Sequence, residues 1–271
     1  MKVFAIRDEY DKTNKNLAYL IYFEKAKRFY IELPEDSDPW DVPIILSSFV
    51  KEGQYTVNSY WSKIWVQQRI VPSDRQNIGQ ILRDNGLKTY DEYELLMLSQ
   101  GRCEQDDCFL VLLKETELPD DFKKRYAKKI EYVVPLESYK LIVFFRDGKT
   151  KVFTAKKQFE SIIKHNRRYA DKTVFNQVKI MPGGYGLTWG SVINITDEQI
   201  YEAGKTIPLG IGDFTSFVQQ AVVSSTEAAD ILNCSRQNID DLIRRDKLHP
   251  IKIYGKNKLF LRDEILQREW E

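Results

Sequence analysis

Ser224-Ser225-Thr226-Glu227-Ala228-Ala229-Asp230-Ile231-Leu232, then Asn233-Cys234-Ser235, then Arg236-Gln237-Asn238-Ile239-Asp240-Asp241-Leu242-Ile243-Arg244-Arg245 is the stretch whose reading decides the fold. Ser225 or Thr226 can cap a first helix that carries Ala228, Ala229, Ile231 and Leu232. Asn233, Cys234 and Ser235 break it, and Ser235 can cap a second helix through Ile239, Leu242 and Ile243. Two short helices across so tight a turn form a helix-turn-helix arrangement. The small alanines let the helices cross closely. Ile239 and Leu242 face the core, which leaves a polar face of Arg236, Gln237, Asn238, Asp241 and Arg244.

The text downstream extends this pattern. Residues 251–254 and 259–261 read as strands around Gly255-Lys256-Asn257-Lys258, a hairpin or wing with a basic tip. Asp263 is placed to cap a closing helix through Ile265 and Leu266. Over the whole chain 41 Lys plus Arg oppose 40 Asp plus Glu, a formal charge of +1. A uniformly basic coat is therefore excluded, and any binding to nucleic acid has to come from a local patch. Such a patch is visible: Arg244, Arg245, Lys247, Lys252, Lys256, Lys258 and Arg262 stand against a single acid, Asp246. Arg236, Gln237, Asn238 and Arg244 are the candidates for base edges in a major groove. Arg245, Lys252, Lys256 and Lys258 are the candidates for phosphate. The competing reading of the same residues is a helical hairpin used for protein contact.

The segment resembles the excisionase and MerR-type winged helix-turn-helix family, on the first-helix text 224–232, the second-helix start 234–239, and Ile243-Arg244-Arg245-Asp246-Lys247-Leu248 before the hairpin. Two departures stand out. The family's Gly two places before the Leu is Asp246 here, and its Thr-Val pair reads Asn238-Ile239. The resemblance implies a DNA-binding fold and leaves the base that is read undefined.

The middle of the chain has its own pattern. Strand-like text at 139–145 and 151–154 flanks Asp147-Gly148, a hairpin signal. A short helix is expected over 159–165, strands over 174–181, 185–189 and 192–195, and a helix over 198–203 capped by Thr196 and ended by Gly204. With Gly183-Gly184-Tyr185-Gly186-Leu187-Thr188-Trp189 at its centre, this segment is similar to the domain-of-unknown-function family numbered 2442. That resemblance implies a small α+β module and a bacterial or phage-like setting, without a chemistry. The glycines lack the Lys-Ser/Thr of a phosphate loop and read as turn residues, with Tyr185 and Trp189 as core.

The first segment reads as strands over 2–7, 17–23 and 28–33, followed by helices over 41–50, 57–70, 75–85 and 90–99, a strand over 108–113 and a solvated charged helix over 119–129. Ser73 is the expected cap of the third helix and Gly86 its end. Catalytic and metal signals are thin. Cys103 and Cys108 lack a second pair, the only histidines are His165 and His249, and no nucleophile elbow is present. His165 beside Arg167 and Arg168 reads as a solvated basic cluster. Three cysteines make no disulfide framework. With no charged-then-apolar leader and no apolar run near the ~20 residues a membrane helix needs, a cytoplasmic protein is expected.

Hydrophobic residues are 42% of 271, enough for packed cores across two or three domains. The fold class expected is α+β and multidomain: two small N-terminal α+β modules (1–128 and 130–209) and a C-terminal winged helix-turn-helix (214–271). The function expected is a non-enzymatic, sequence-specific DNA-binding regulator, antitoxin-like or a mobile-element repressor. Its expected partner is double-stranded DNA, bound as a homodimer on two half-sites, with no cofactor, metal or membrane. The alternative is an adaptor whose helices bind a partner protein such as a toxin.

Overall fold

A computed structural model of the chain describes residues 1–164, 172–190 and 192–268. The first elements are β1 (Lys2–Asp8), β2 (Ala18–Phe23), β3 (Arg28–Glu32), α1 (Ile44–Lys51), β4 (Thr56–Val57), α2 (Ser59–Gln67), α3 (Ile78–Asp84), α4 (Glu92–Leu98), β5 (Cys108–Leu113), α5 (Asp120–Ala127) and β6 (Ile130–Pro135). Then come β7 (Lys140–Phe145), β8 (Thr150–Thr154), α6 (Lys156–Ile163), α7 (Lys172–Phe175), β9 (Lys179–Ile180), β10 (Gly186–Trp189), β11 (Ile193–Thr196), α8 (Asp197–Ala203) and β12 (Lys205–Ile207). The last are α9 (Ile211–Ala221), β13 (Val222–Ser224), α10 (Ser225–Ile231), α11 (Arg236–Arg244), β14 (Lys252–Tyr254), β15 (Asn257–Leu261) and α12 (Arg262–Gln267). The architecture is α+β with antiparallel sheets. The chain forms two compact units, 1–130 with 178–198 and 131–177 with 199–271.

The first unit is built on a five-stranded sheet in the order β4-β3-β2-β1-β5. Its central strand β2 (Ala-Tyr-Leu-Ile-Tyr-Phe) is apolar at every position because both faces of the sheet are covered. Phe4, Leu20, Tyr22 and Ile31 pack with Leu46, Trp65 and Leu96 from the helices. Val3, Tyr19, Ile21 and Tyr30 pack instead with Phe122 and Tyr185. Helix α5 is therefore not a solvated connector: Phe122 is buried in that second core.

Residues 178–198 are held to this sheet by a buried polar cluster. Tyr185 stacks on Tyr30 with ring centroids 4.0 Å apart, and its hydroxyl donates to Glu32 Oε1 at 2.7 Å. Lys129 Nζ lies 3.4 Å from Glu32 Oε1 and 3.0 Å from Asp197 Oδ2. It also sits 4.1 Å from the centre of the Tyr185 ring. Arg125 Nε approaches Glu32 Oε2 at 3.3 Å. Burial pushes the Asp197 carboxyl up against the pull of Lys129. Burial alone would lower the Lys129 amine, but Glu32 and Asp197 outweigh it and the net direction is upward. The approach depends on Gly184, which has φ +84°, and a Cβ there would stand 2.3 Å from the Ile130 carbonyl oxygen.

In the second unit the expected Asp-Gly hairpin is present. β7 pairs with β8 (Leu141↔Phe153), and Gly148 adopts φ +80° in the loop. The sheet order is β12-β8-β7-β6. The strand expected over 174–181 is different: α7 covers its start and only Lys179–Ile180 is extended. Phe175 is drawn onto Phe159, with ring centroids 5.2 Å apart, and that packing overrides the β-branched text. The basic run 165–168, with His165, lies outside the described residues. Helix α3 begins later than expected, at Ile78, with Ser73 outside it.

The C-terminal part folds around Val223, Ala228, Ala229, Ile239, Leu248, Phe260 and Ile265. The two alanines are buried where α10 meets α11, as their small size requires. Both helices end in the same way. Asn233 has φ +46°, with Asn233 N–H bonding Asp230 O and Cys234 N–H bonding Ala229 O. Asp246 has φ +58°, with Asp246 N–H bonding Ile243 O and Lys247 N–H bonding Leu242 O. These are Schellman turns, which need a left-handed residue. Asp246 stands where the resemblance expects Gly, and Asp is among the few other residues that accept this conformation.

Candidate nucleic-acid interface

The first helix of the pair is capped by Ser224, one residue before the expected cap. Its Oγ accepts from Glu227 N–H at 3.3 Å, and Glu227 Oε2 accepts from Ser224 N–H at 2.7 Å. That backbone hydrogen bond from Ser224 holds the Glu227 carboxyl below its usual range. The reciprocal pair is a capping box, legible as Ser-x-x-Glu. Ser235 caps α11 as expected, accepting from Asn238 N–H at 3.3 Å. Ser235→Ala should cost about 1 kcal/mol of stability, measurable by chemical denaturation, with the helix boundary unchanged.

Helix α11 buries Ile239 and leaves Arg236, Gln237, Asn238, Arg244 and Arg245 exposed. Beside it β13, β15 and β14 form a three-stranded antiparallel sheet. Val223 pairs with Phe260, and Lys252 pairs with Leu259. The β14–β15 hairpin closes through a two-residue turn, with Gly255 at φ +59° in the first position. Glycine there is what a type II′ turn asks for. Asn257 and Lys258 belong to β15 and not to the tip, which leaves Gly255 and Lys256 at the turn. Asp263 is inside α12; the residue before that helix is Leu261, which offers no side-chain cap.

Between the starts of α10 and α11 and the hairpin lies a groove of about 660 Å³. Four of the expected residues line it: Arg236, Lys252, Lys256 and Lys258. Thr226, Tyr254 and Asn257 line it too, and they were missed by the sequence reading. The Arg236 guanidinium donates to Thr226 Oγ1, which fixes its direction. Tyr254 is 80% exposed, an aromatic ring standing between Lys252 and Lys256 on the hairpin. An aromatic residue beside a glycine turn and flanked by lysines was the available signal. Among the described residues Asp240 is the one carboxylate on the groove, and it pairs with Lys258 Nζ at 2.5 Å.

The other expected residues do not line the groove. Gln237 and Asn238 are exposed on the first turn of α11. Arg244 and Arg245 stand at its far end, about 12 Å along at 1.5 Å per residue. There Arg244 is paired with Asp241 at 2.9 Å. Of the cations that line the groove, Lys258 is paired with Asp240, and Arg236, Lys252 and Lys256 have no carboxylate partner among the described residues. Elsewhere, Cys108 is buried in β5, and burial pushes its thiol up to about 12. Cys103 is half-buried with its Sγ 3.8 Å from Asp106 Oδ1.

Residues 222–268 match the helix-turn-helix domain family, and residues 130–206 match the family described as a protein of unknown function (DUF2442). Both resemblances read from the residues are thereby borne out. No curated protein matches the chain, and no solved structure does. Among the described residues no helix is long and apolar enough to cross a membrane.

Proposed function

We propose that the chain is a non-enzymatic, sequence-specific DNA-binding regulator of the mobile-element repressor or antitoxin type. Its C-terminal domain is a winged helix-turn-helix, and it works in the cytoplasm as a homodimer on two half-sites. Helix α11 is the reading helix and the β14–β15 hairpin is the wing. The observation that carries the reading is the groove in which Arg236, Lys252 and Lys256 converge from a helix and the hairpin that follows it. A duplex presents phosphates beside base edges, and this surface offers cations beside Gln237 and Asn238. The match of residues 222–268 to the helix-turn-helix domain family supports the DNA-binding part of this reading.

Salt tests it. Affinity for a duplex selected from a random pool should fall linearly on a log–log plot against salt concentration. Lys256→Ala should weaken binding to every duplex alike and flatten that slope by about 0.9. Lys258→Ala should do less, since Asp240 already holds that ammonium. Affinity indifferent to salt would replace this reading with one of protein contact.

A further inference from the structure

A cleft of about 690 Å³ opens where the end of β6, the turn at 136–139, the first residue of α6 and the end of α7 meet. The described residues that line it all fall within 130–206, the segment matched to the family of unknown function. One wall is apolar. Tyr139 stands edge-on to Phe175 with ring centroids 5.3 Å apart, its ring centre is 5.2 Å from that of Phe159, and Leu136 continues the wall. Phe159 and Phe175 are buried, whereas Tyr139 is half-buried and lines the cleft. The backbone is strained to hold it there. Ser138 has φ +59° and Tyr139 φ +58°, a left-handed conformation that disfavours both residue types. The next turn of the same sheet places Gly148 where it needs a positive φ. Strain of this kind persists where the surroundings hold it, and it gathers at ligand clamps.

Two opposite charges share the cleft without pairing. Glu137 is exposed on the turn, and Lys156 is the first residue of α6. Ala155 N–H donates to the Tyr139 carbonyl at 2.9 Å, which sets the turn beside the start of that helix. Among the described residues no ion pair joins Glu137 to Lys156. Lys156 Nζ instead lies 3.6 Å from Glu160, with both side chains more than half exposed, a contact worth little and readily exchanged. Helix α6 also begins without a side-chain cap and without an acid in its first turn, so its positive end adds to the pull of Lys156 on an anion.

We propose that this cleft binds a free amino acid with a large apolar side chain. The carboxylate goes to Lys156 and the start of α6, the ammonium to Glu137, and the side chain to the wall of Tyr139, Phe175 and Leu136. A simple carboxylate would leave Glu137 facing an anion, and a simple amine would leave Lys156 facing a cation. The end of a peptide carries one of the two charges, not both. An amino acid carries both on one carbon with an apolar body beside them, and so answers the cation, the carboxylate and the wall together. The space fits: small-molecule sites run from about 300 to 1,000 Å³, with mostly apolar walls and a few placed polar groups.

The test is titration of the full chain, followed by calorimetry or ligand-observed NMR, with three probes: phenylalanine, 3-phenylpropionate, which lacks the ammonium, and 2-phenylethylamine, which lacks the carboxylate. A ligand of a dozen non-hydrogen atoms at ordinary efficiency reaches a Kd of about 2 mM or better. Phenylalanine should bind at that level, and each analogue about tenfold or more weaker, the scale of one charge-assisted hydrogen bond. Glu137→Gln should weaken phenylalanine to the level of 3-phenylpropionate while leaving 3-phenylpropionate no weaker than before, which also shows the variant to be folded. Lys156→Gln should weaken phenylalanine to the level of 2-phenylethylamine and leave 2-phenylethylamine no weaker. Three probes that bind the wild type alike, phenylalanine that fails to saturate by about 20 mM, tenfold above that expected Kd, or either variant binding phenylalanine as the wild type does, overturns the proposal.

Discussion

Lys129→Met is expected to destabilise the first unit by about 3–5 kcal/mol, the usual result of removing one partner from a buried ion pair. That is a large share of the 5–15 kcal/mol that separates a typical folded domain from its unfolded chain. Methionine fills similar space, so the loss is electrostatic. Glu32 and Asp197 both keep their burial and lose the ammonium between them. The sign of the pH dependence follows. The Asp197 carboxyl is already raised by burial, and Lys129 is the largest influence holding it down. Removing the amine raises it further. A carboxyl raised in the folded state contributes stability below its unfolded value of 3.8 and loses it as pH rises through the folded value. The penalty of K129M should therefore be smallest in acid and grow towards neutrality. Urea denaturation across pH measures it. A penalty that is flat with pH, or near zero at neutrality, would mean that the two carboxylates are not relying on this cation.

Arg236→Ala is the substitution expected to act most on recognition. The guanidinium starts α11, is aimed by Thr226 and lines the groove. A good side-chain contact to a base discriminates by about 1–3 kcal/mol, roughly a 5- to 150-fold loss at one position of the site. Affinity for unrelated duplexes should fall far less. Repeating the random-pool selection with R236A checks this, because the selected sequence should become degenerate at one base pair per half-site. An unchanged selected sequence with uniformly weaker binding would reassign Arg236 to phosphate.

The C-terminal fold was legible because its determinants are local. Ser235, the paired alanines and Gly255 each act within a turn or two of their own position. Ser-x-x-Glu at 224–227 was equally local, and it fixes the cap at Ser224, ahead of the Ser225 or Thr226 expected. The site was less legible, since its quality depends on which charges are already taken. Asp241 sits three residues before Arg244, and Asp240 meets Lys258 from a different element. A count of basic residues is blind to the second pairing. The β13–β15 pairing, which joins 222–224 to 259–261, is short and long-range and leaves little periodic trace. The polar cluster of the first unit left none: Glu32, Lys129 and Asp197 are ordinary surface types whose burial comes from tertiary packing alone.

The stretch 178–198 carries a further consequence for how the chain matures on the ribosome. Domains ordinarily fold as they emerge, the N-terminal one first. Here Glu32 and Tyr30 wait for Tyr185, which is translated some 150 residues later, and Lys129 waits for Asp197. The nascent first unit must remain unfinished while the text between is made. Its aromatic face is a natural target for chaperones during that interval, and an expression fragment cut at residue 130 would carry that vulnerability permanently.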